Sequence, residues 1–252
     1  MAADRATSFG AGVAAYELGR PDYPDQAVAW LLDDVSGRVL DLAAGSGKLT
    51  RAIQRLGPDV VAVDPDEQML ARNSTASTLA GRAEAIPLPD ASVAAVTLGQ
   101  AWHWLDPATA GPEIARVLVP GGRLGLVWNI RDARHPFIAA LAGVMGPSPA
   151  EQLLDSDGVA DVPGFTSFET VRFDWVRQVT PEQVEALVSS RSHWLVADAV
   201  TKAGIVADVR HLVATHPHSA GRTQFEFPTY TACFRAQLRR GVHPAPLRPR
   251  TW

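Results

Sequence analysis

A glycine-bearing turn between a predicted strand and a predicted helix is the first place in this sequence with residues suited to chemistry. In the segment VLDLAAGSGKLT the strand ends at Asp41, and Ala43, Gly45 and Gly47 follow at alternate positions. Glycine lets a backbone approach a ligand closely, and a helix start offers unpaired N–H groups to a polar or negative group. The turn therefore predicts a binding site for a ligand that contains a nucleoside.

Three classes of ligand fit such a turn to different degrees. A phosphate-binding loop is disfavoured, because Leu42 and Leu49 stand where that motif requires its first Gly and its Ser or Thr. A dinucleotide site requires a third glycine, which this turn lacks, although Asp64 is suitably placed for ribose hydroxyls. Asp41 would repel a pyrophosphate but can attract the ammonium group of S-adenosylmethionine (SAM). SAM is therefore favoured, and an acid that merely caps the turn is the alternative.

Alternating strand and helix patterns predict the elements that position this turn. Apolar runs at 38–42, 60–64, 93–98 and 123–128 are typical of buried strands, and helical periodicity lies between them. Asp64 and Pro65 occupy the capping position and the first position of one such helix. Successive strand-helix-strand units predict an α/β fold with a doubly wound parallel sheet.

The alternation breaks after residue 129. Residues 130–167 contain prolines and two weak helical patterns, and they are predicted to form an inserted helical cap. Strand patterns at 168–179 and 225–234 flank two helical ones and predict an antiparallel edge strand. A single domain is expected, divided into an N-terminal lid and helix (1–36), a cofactor-binding core (37–129), the cap (130–167), C-terminal strands and helices (168–238) and a tail (239–252).

Composition narrows the function classes. The chain has 252 residues, of which 46% are hydrophobic and 20% are charged, and this composition excludes a globally disordered protein. Its net charge of −4 gives no sign of a basic surface for binding nucleic acid. Its one cysteine, Cys233, cannot form an internal disulfide and favours a reducing compartment. Neither a signal peptide nor a membrane-spanning segment is predicted. We expect a cytoplasmic protein, monomeric or homodimeric, whose partner is a small molecule rather than nucleic acid or a membrane.

Four motifs occur in the order VLDLAAGSGKLT, VVAVDPDEQML, GRAEAIPLPDASVAAVTLGQAWHWLD and RVLVPGGRLGLVWN. Together they resemble class I SAM-dependent methyltransferases, particularly the small-molecule branch with ubiquinone/menaquinone-biosynthesis and trans-aconitate-type enzymes. The resemblance covers residues 9–129. It implies a Rossmann-like, mostly parallel sheet of seven strands, SAM as cofactor, and methyl transfer to a small organic acceptor through a carboxylate or hydroxyl group.

The resemblance also implies roles for individual residues. Asp64 would accept hydrogen bonds from both ribose hydroxyls of SAM. Two positions depart from the family pattern, because Ala43 replaces the first glycine and Arg82 replaces an acid that many relatives carry. The methionine part of SAM would be lined by Asp41, Ala43, Gly45 and Gly47. The adenine and the sulfonium would be lined by Pro65, Met69, Ala83, Glu84, Gln100 and Ala101.

The segment from Tyr16 to Pro24 resembles the lid that precedes the first strand in this branch. Such a lid would fold over SAM and bring Tyr16 to the cofactor. A proline-fixed connector that only leads into the helix at 25–32 is the alternative, because short proline-rich entries to helices are common.

His103 is the candidate general base, because it follows a buried strand at the edge of the sheet where α/β folds bind ligands. Its alternative role is to pin the loop by a hydrogen bond, since positioning alone accelerates methyl transfer. Arginine suits an acceptor carboxylate, while exposed ion pairing is the common alternative for each arginine. The residues expected to shape the acceptor site are Trp102, Trp104, Trp128, Arg131, Arg191, His193 and Trp194, with at least one tryptophan in the core.

Two other hypotheses concern metal and function. His211, His216 and His218 have no evident carboxylate partner, so no metal site is predicted. A SAM-binding protein without transfer activity and a nicotinamide-dependent oxidoreductase are the alternatives to a methyltransferase.

Overall fold

Seven strands form one sheet in the computed structural model of the protein, which describes residues 13–73, 77–156, 158–191, 194 and 197–241. The sheet order is β3-β2-β1-β4-β5-β7-β6, and β1 to β5 are parallel. β7 runs antiparallel to both β5 and β6. The strands are β1 (Val39–Leu42), β2 (Val60–Asp64), β3 (Thr78–Ala80), β4 (Val93–Gly99), β5 (Leu118–Arg131), β6 (Glu169–Val179) and β7 (Phe225–Gln237). The predicted fold class is confirmed.

Helices connect the strands at the predicted places. Side chains cap several of them, and Thr180 with Gln183 and Ser148 with Glu151 form reciprocal capping boxes. The helices are α1 (Val13–Gly19), α2 (Asp25–Leu31), α3 (Lys48–Arg55), α4 (Glu67–Leu70), α5 (Pro107–Val117), α6 (Pro136–Met145), α7 (Pro149–Asp155), α8 (Pro181–Ser189) and α9 (Ala199–Thr215), with a 3-10 turn at Trp102–Trp104.

Three strands differ in detail from the sequence prediction. β3 has no counterpart in it, because its three residues are all exposed and carry no apolar pattern. β5 begins at residue 118 and continues to residue 131, beyond the predicted 123–128. The antiparallel strand β7 lies one position inside the sheet, and β6 forms the edge. Only long-range pairing decides which strand of a terminal pair lies outside.

The core occupies both faces of the sheet. Leu126 and Trp128 of β5 join one apolar cluster, and Val127 between them joins the other, as expected for side chains that alternate across a strand. A third cluster joins α6 to α8, α9 and the start of β7 through Phe137, Val184 and Phe225. The predicted cap insertion therefore shares a core with the C-terminal helices.

Within the described ranges, the structure contains no helix that is both long and apolar enough to span a membrane.

Candidate functional site

A cavity of about 570 Å³, here called the large cavity, lies at the carboxyl ends of the parallel strands. Its volume is within the range of about 300–1,000 Å³ that is typical of small-molecule sites. The segments after β1, β2 and β4 supply one side of it, and the residues between α6 and α7 supply the other. Among the residues that sequence analysis predicted, its lining includes Tyr16, Ala43, Gly45, Asp64, Pro65, Met69, Ala83, Glu84, Gln100, Ala101, His103, Trp104 and Arg191.

Asp64 is a buried acidic residue that lines the large cavity. Its Oδ2 accepts a hydrogen bond from the Gly45 N–H at 2.8 Å, and its Oδ1 accepts one from the Asp66 N–H at 2.8 Å. Burial raises the pKa of this carboxyl. Each carboxylate oxygen can accept a second hydrogen bond, so Asp64 retains capacity for ligand hydroxyls.

The predicted helix cap after β2 is wrong by two residues. Asp66, rather than Asp64, caps α4 by accepting hydrogen bonds from the backbone N–H groups of Gln68 and Met69 at 3.0 and 3.1 Å. Asp64 instead accepts a hydrogen bond from the Gly45 N–H in the glycine-bearing turn, and only the tertiary structure brings these two groups together.

Two residues with left-handed backbones lie on the walls of the large cavity. Ala43 has φ 57° and Gln100 has φ 58°, although both carry a Cβ atom. Such conformations cost about 1–3 kcal/mol and cluster at ligand sites. The Gln100 side chain is held by donating its Nε2 hydrogen to the Asn129 carbonyl at 2.9 Å. The replacement of glycine by Ala43 is therefore compatible with the turn and with its place at the cavity.

Asp41 and Gly47 are the two predicted cofactor residues that do not line the large cavity. Asp41 is fully buried on the face of β1 opposite to Leu42, where the Thr50 hydroxyl donates to its Oδ2 at 2.5 Å. Its Oδ1 is buried without a hydrogen bond, and burial raises its pKa to about 7. The expectation that Asp41 meets the ligand directly is not supported, because α3 covers that face of the strand.

Gly47 is closely packed against a neighbouring side chain and does not line the large cavity. Its φ is 87°, and a Cβ atom there would lie 2.5 Å from the Asn73 side chain. Gly45 is the glycine of the turn that reaches the cavity, with φ 55° and with the Met69 methyl group 3.3 Å from the position of a Cβ. The sequence motif alone does not distinguish these two roles.

The lining also contains residues that the sequence analysis did not assign. The Arg82 guanidinium lies 3.6 Å from the Glu84 carboxylate, and both side chains are exposed, so this pair forms part of the rim. Leu42, Gly99 and Leu105 each lie beside an assigned residue, which was the available signal, whereas the 146–150 segment had none. The unassigned residues include Leu42, Gly81, Arg82, Gly99, Leu105 and the 146–150 segment.

The N-terminal segment covers the glycine-bearing turn. Tyr16 of α1 lines the large cavity, and burial raises the pKa of its hydroxyl. The Glu17 carboxylate accepts a hydrogen bond from the Ser46 hydroxyl and lies 3.3 Å from the Arg51 guanidinium and 3.4 Å from the Lys48 ammonium. These contacts favour the lid interpretation over a simple connector.

His103 lines the large cavity, but its contacts do not support a general base. The Trp128 indole N–H donates to His103 Nδ1 at 3.2 Å. Burial lowers the pKa of the imidazole to about 4, and the charge of Arg20 adds to this effect. A neutral imidazole whose Nδ1 accepts a hydrogen bond carries its proton on Nε2. His103 is therefore arranged to donate a hydrogen bond rather than to remove a proton.

The aromatic residues predicted to shape an acceptor site divide into core and wall. Trp102 and Trp128 are 4% and 0% exposed and belong to the main apolar cluster, so neither lines the cavity. Trp194 packs against the third apolar cluster and is likewise absent from the walls. Only Trp104 has the expected position. His193 lies outside the described residues.

A second, smaller cavity of about 50 Å³ adjoins the large cavity and shares Tyr16, Arg20, Gln100 and Arg191 with it. We call it the arginine chamber, because Arg20, Arg131, Arg177 and Arg191 all line it. Arg131 and Arg191 were predicted as acceptor contacts, and Arg20 and Arg177 were missed. Arg177 had a signal in the sequence, since it occupies the apolar register of an alternating strand.

His218 makes ring contacts with both His135 and His216. His135 and His218 have ring centroids 4.4 Å apart, and His218 Nε2 lies 2.7 Å from the Glu226 carbonyl oxygen. In the parts of the chain that the structure describes, no group of three or more His, Cys, Asp or Glu residues is arranged to hold a metal ion.

The chain is similar in sequence to known methyltransferases. Residues 40–126 match the protein family described as methyltransferase domain. An uncharacterised methyltransferase of Mycobacterium tuberculosis is 46% identical over 243 residues, covering 93% of this chain and 97% of that protein. An uncharacterised methyltransferase of Schizosaccharomyces pombe is 32% identical over 242 residues, covering 91% and 96%.

Two further likenesses are more limited. A demethylmenaquinone methyltransferase of Beutenbergia cavernae is 41% identical over 92 residues, covering 34% of this chain and 38% of that protein. A solved structure from Anaeromyxobacter dehalogenans, named as a candidate type II methyltransferase, has a TM-score of 0.63 at 22% identity, covering 88% of this chain and 99% of that one. The second likeness concerns the fold alone.

Proposed function

The chain belongs to the class I SAM-dependent methyltransferases, and from that premise we propose that it methylates a small organic acceptor beside the cap helices. The cofactor is SAM. Support for the position of the acceptor comes from one observation: the arginine chamber adjoins the large cavity and shares Tyr16, Arg20, Gln100 and Arg191 with it. One end therefore suits the cofactor, and the other is left for a second small molecule.

The residues of the large cavity fit SAM in size and chemistry. Asp64 would hold the ribose hydroxyls, because its oxygens can each accept another hydrogen bond. Met69 and Ala83 offer apolar surface to the adenine, and Gly45 lets the backbone approach the ligand closely. When bound, SAM supplies a methyl group on a sulfonium that a nucleophilic atom can displace.

The chain's own contribution is to position the acceptor and to exclude water. Holding two reactants at near-attack distance is worth up to about 7–11 kcal/mol. Gln100, fixed by its hydrogen bond to the Asn129 carbonyl, and Tyr16 of the lid stand where the two cavities meet. The His103 Nε2–H is available to orient an oxygen of the acceptor.

Calorimetry and a turnover assay test this proposal. The protein should bind SAM and its demethylated product S-adenosylhomocysteine, and a metabolite extract should contain a fraction that makes product formation acceptor-dependent. Asp64→Asn should weaken SAM binding by about 10- to 100-fold, because it removes charged hydrogen bonds worth about 1.5–3 kcal/mol. Asp59→Asn, at the opposite end of β2, is the matched control and should bind normally.

Absence of heat with both ligands would exclude the cofactor assignment. SAM binding without acceptor-dependent product formation in any fraction would favour a SAM-binding protein without transfer activity.

Three attributes remain proposals from the sequence. They are the cytoplasmic location, the monomeric or homodimeric state, and the likeness to trans-aconitate-type enzymes within the small-molecule branch.

A further inference from the structure

The arginine chamber holds more positive charge than its own acids balance. Five cationic side chains line it, whereas Glu151 is the only acidic residue of its lining within the described chain. Two of the cations have acidic partners. Arg131 binds the Glu151 carboxylate with Nη2 at 2.8 and 2.9 Å, and Lys48 lies 3.4 Å from both Glu17 and Asp22.

The hydrogen bonds of the other three guanidiniums go to neutral oxygens. Arg20 donates to the Ser190 hydroxyl at 3.0 Å, Arg177 donates to the Gly19 carbonyl at 3.0 Å, and Arg191 donates to two carbonyls at the end of α6, both at 2.9 Å. None of the three has a carboxylate within ion-pair distance among the residues that the structure describes. The buried Nε of Arg177 makes no hydrogen bond.

Unbalanced buried charge of this kind is unfavourable in the free protein. Burial lowers the pKa of Arg177 and of Arg191 to about 10, and the neighbouring charge of Arg20 contributes to both shifts. Arg191 is only 8% exposed. A buried charge without a partner is strongly destabilising, so an anion that enters the chamber would relieve a strain already present.

We propose that Arg20, Arg177 and Arg191 form an anion-binding subsite, and that the acceptor of the proposed methyl transfer is a carboxylic acid whose carboxylate is held there. The subsite rests on the proposed function only for its link to methyl transfer. Arg20 and Arg191 line both cavities, so an acid held by them extends toward the large cavity. The held carboxylate is a handle, and the methylated atom lies elsewhere on the acceptor.

Geometry favours a carboxylate as the anion. At about 10–15 Å³ for each water-sized group, a chamber of about 50 Å³ admits about three to five such groups. The arginine fork can bind either a carboxylate or a phosphate. A carboxylate, with three heavy atoms, fits even the lower limit of this space, whereas the phosphate group of an ester, with five, would fill it completely.

Binding without turnover tests the subsite. Calorimetry and thermal unfolding would be run on the full chain, without SAM, against acetate, succinate, benzoate and tricarballylate. Succinamide and benzamide are the neutral counterparts, and phenyl phosphate represents the alternative anion. At least one carboxylate should bind and raise the unfolding temperature, and the amides should do neither.

Three variants test whether the carboxylate binds at these arginines. Arg177→Met keeps an apolar stem over the Phe227 ring, which lies 5.0 Å from the guanidinium carbon, and Arg20→Met removes the second charge. Each should weaken carboxylate binding by about 10- to 100-fold, the size of a lost charged hydrogen bond. Arg210→Met is the control, because Arg210 is exposed and pairs with Glu185.

The unfolding temperature of Arg177→Met distinguishes a binding role of Arg177 from a structural role. Without acid, Arg177→Met should unfold at the same temperature as the wild type or higher. The proposal is overturned if no carboxylate binds, if binding is equal in Arg177→Met and the wild type, or if only phenyl phosphate binds. Binding of S-adenosylhomocysteine, measured on the same samples, tests the large cavity separately. If the wild-type protein does not bind it, the proposed function is contradicted but the anion-binding subsite is not.

Discussion

The large cavity contains a buried carboxylate, Asp64, at the end of a parallel strand, whereas the guanidiniums of the arginine chamber come from four separate elements. Asp64 is held by backbone N–H groups of nearby turns. The arginines follow α1, end β5, lie within β6 and follow α8. A buried carboxylate and a cluster of arginines therefore line two adjoining cavities, which share Arg20 and Arg191.

The two cavities should therefore be sensitive to different kinds of substitution. Backbone conformation shapes the large cavity, since Ala43, Gly45 and Gln100 on its walls all have positive φ. The arginine chamber depends instead on the charge of side chains that project from strands and from the ends of helices. Backbone-altering substitutions should damage the first part most, and charge-altering ones the second.

Gly47→Ala should have the largest effect on stability. The new Cβ would lie 2.5 Å from the Asn73 side chain at φ 87°, so crowding adds to backbone strain. We expect a loss of about 3–5 kcal/mol in urea unfolding. Gly57→Ala is the control, because its φ of 103° is also left-handed but no atom lies within 4 Å. It should cost about 1–2 kcal/mol, and equal losses would contradict the packing role of Gly47.

Asp41→Asn should stabilise the protein above neutral pH. Burial raises the pKa of Asp41 to about 7, so the folded state retains a proton that the unfolded state releases near pH 4. Wild-type stability should therefore fall as the pH rises from about 4 to about 7. At pH 8 the variant should be more stable by about 2–4 kcal/mol. Parallel pH curves for both proteins in unfolding experiments would contradict this, and Asp59→Asn should follow the wild type.

Glu151→Gln should destabilise the acceptor side and raise its positive charge. The change leaves Arg131 without its carboxylate, although glutamine can keep the contact with the Ser148 N–H. We expect a loss of about 2 kcal/mol in urea unfolding, together with tighter carboxylate binding by calorimetry. Glu185→Gln breaks the exposed pair with Arg210 and should cost less than about 1 kcal/mol. Weaker carboxylate binding in Glu151→Gln would argue against the subsite.

His103→Ala should have the smallest effect, and one that does not depend on pH. Because burial lowers the pKa of His103 to about 4, the imidazole stays neutral across pH 6–8. Loss of a neutral hydrogen bond predicts a fall in kcat of less than about 10-fold, whereas loss of a base predicts about 100-fold or more. A pH-dependent loss of the larger size would restore the general base, and exposed His211→Ala is the control.

The sequence predicted the large cavity better than the arginine chamber. Ala43, Asp64 and Gln100 were assigned from motifs next to strand ends, and all three line the cavity. Asp41 was placed on the correct strand, but the motif does not reveal that its side chain lies on the face that α3 covers. Arg177 was missed because the other arginines of the chamber lie up to 157 positions away from it in the sequence.

The sequence by itself determined the parallel core and the edge of the sheet at which the large cavity lies. Apolar runs specify buried strands, and the carboxyl ends of parallel strands share one edge. Tertiary structure alone decided which acid faces a ligand and which arginines meet. Those outcomes depend on helix packing and on the antiparallel pairing of β6 with β7, which join residues that no local pattern connects.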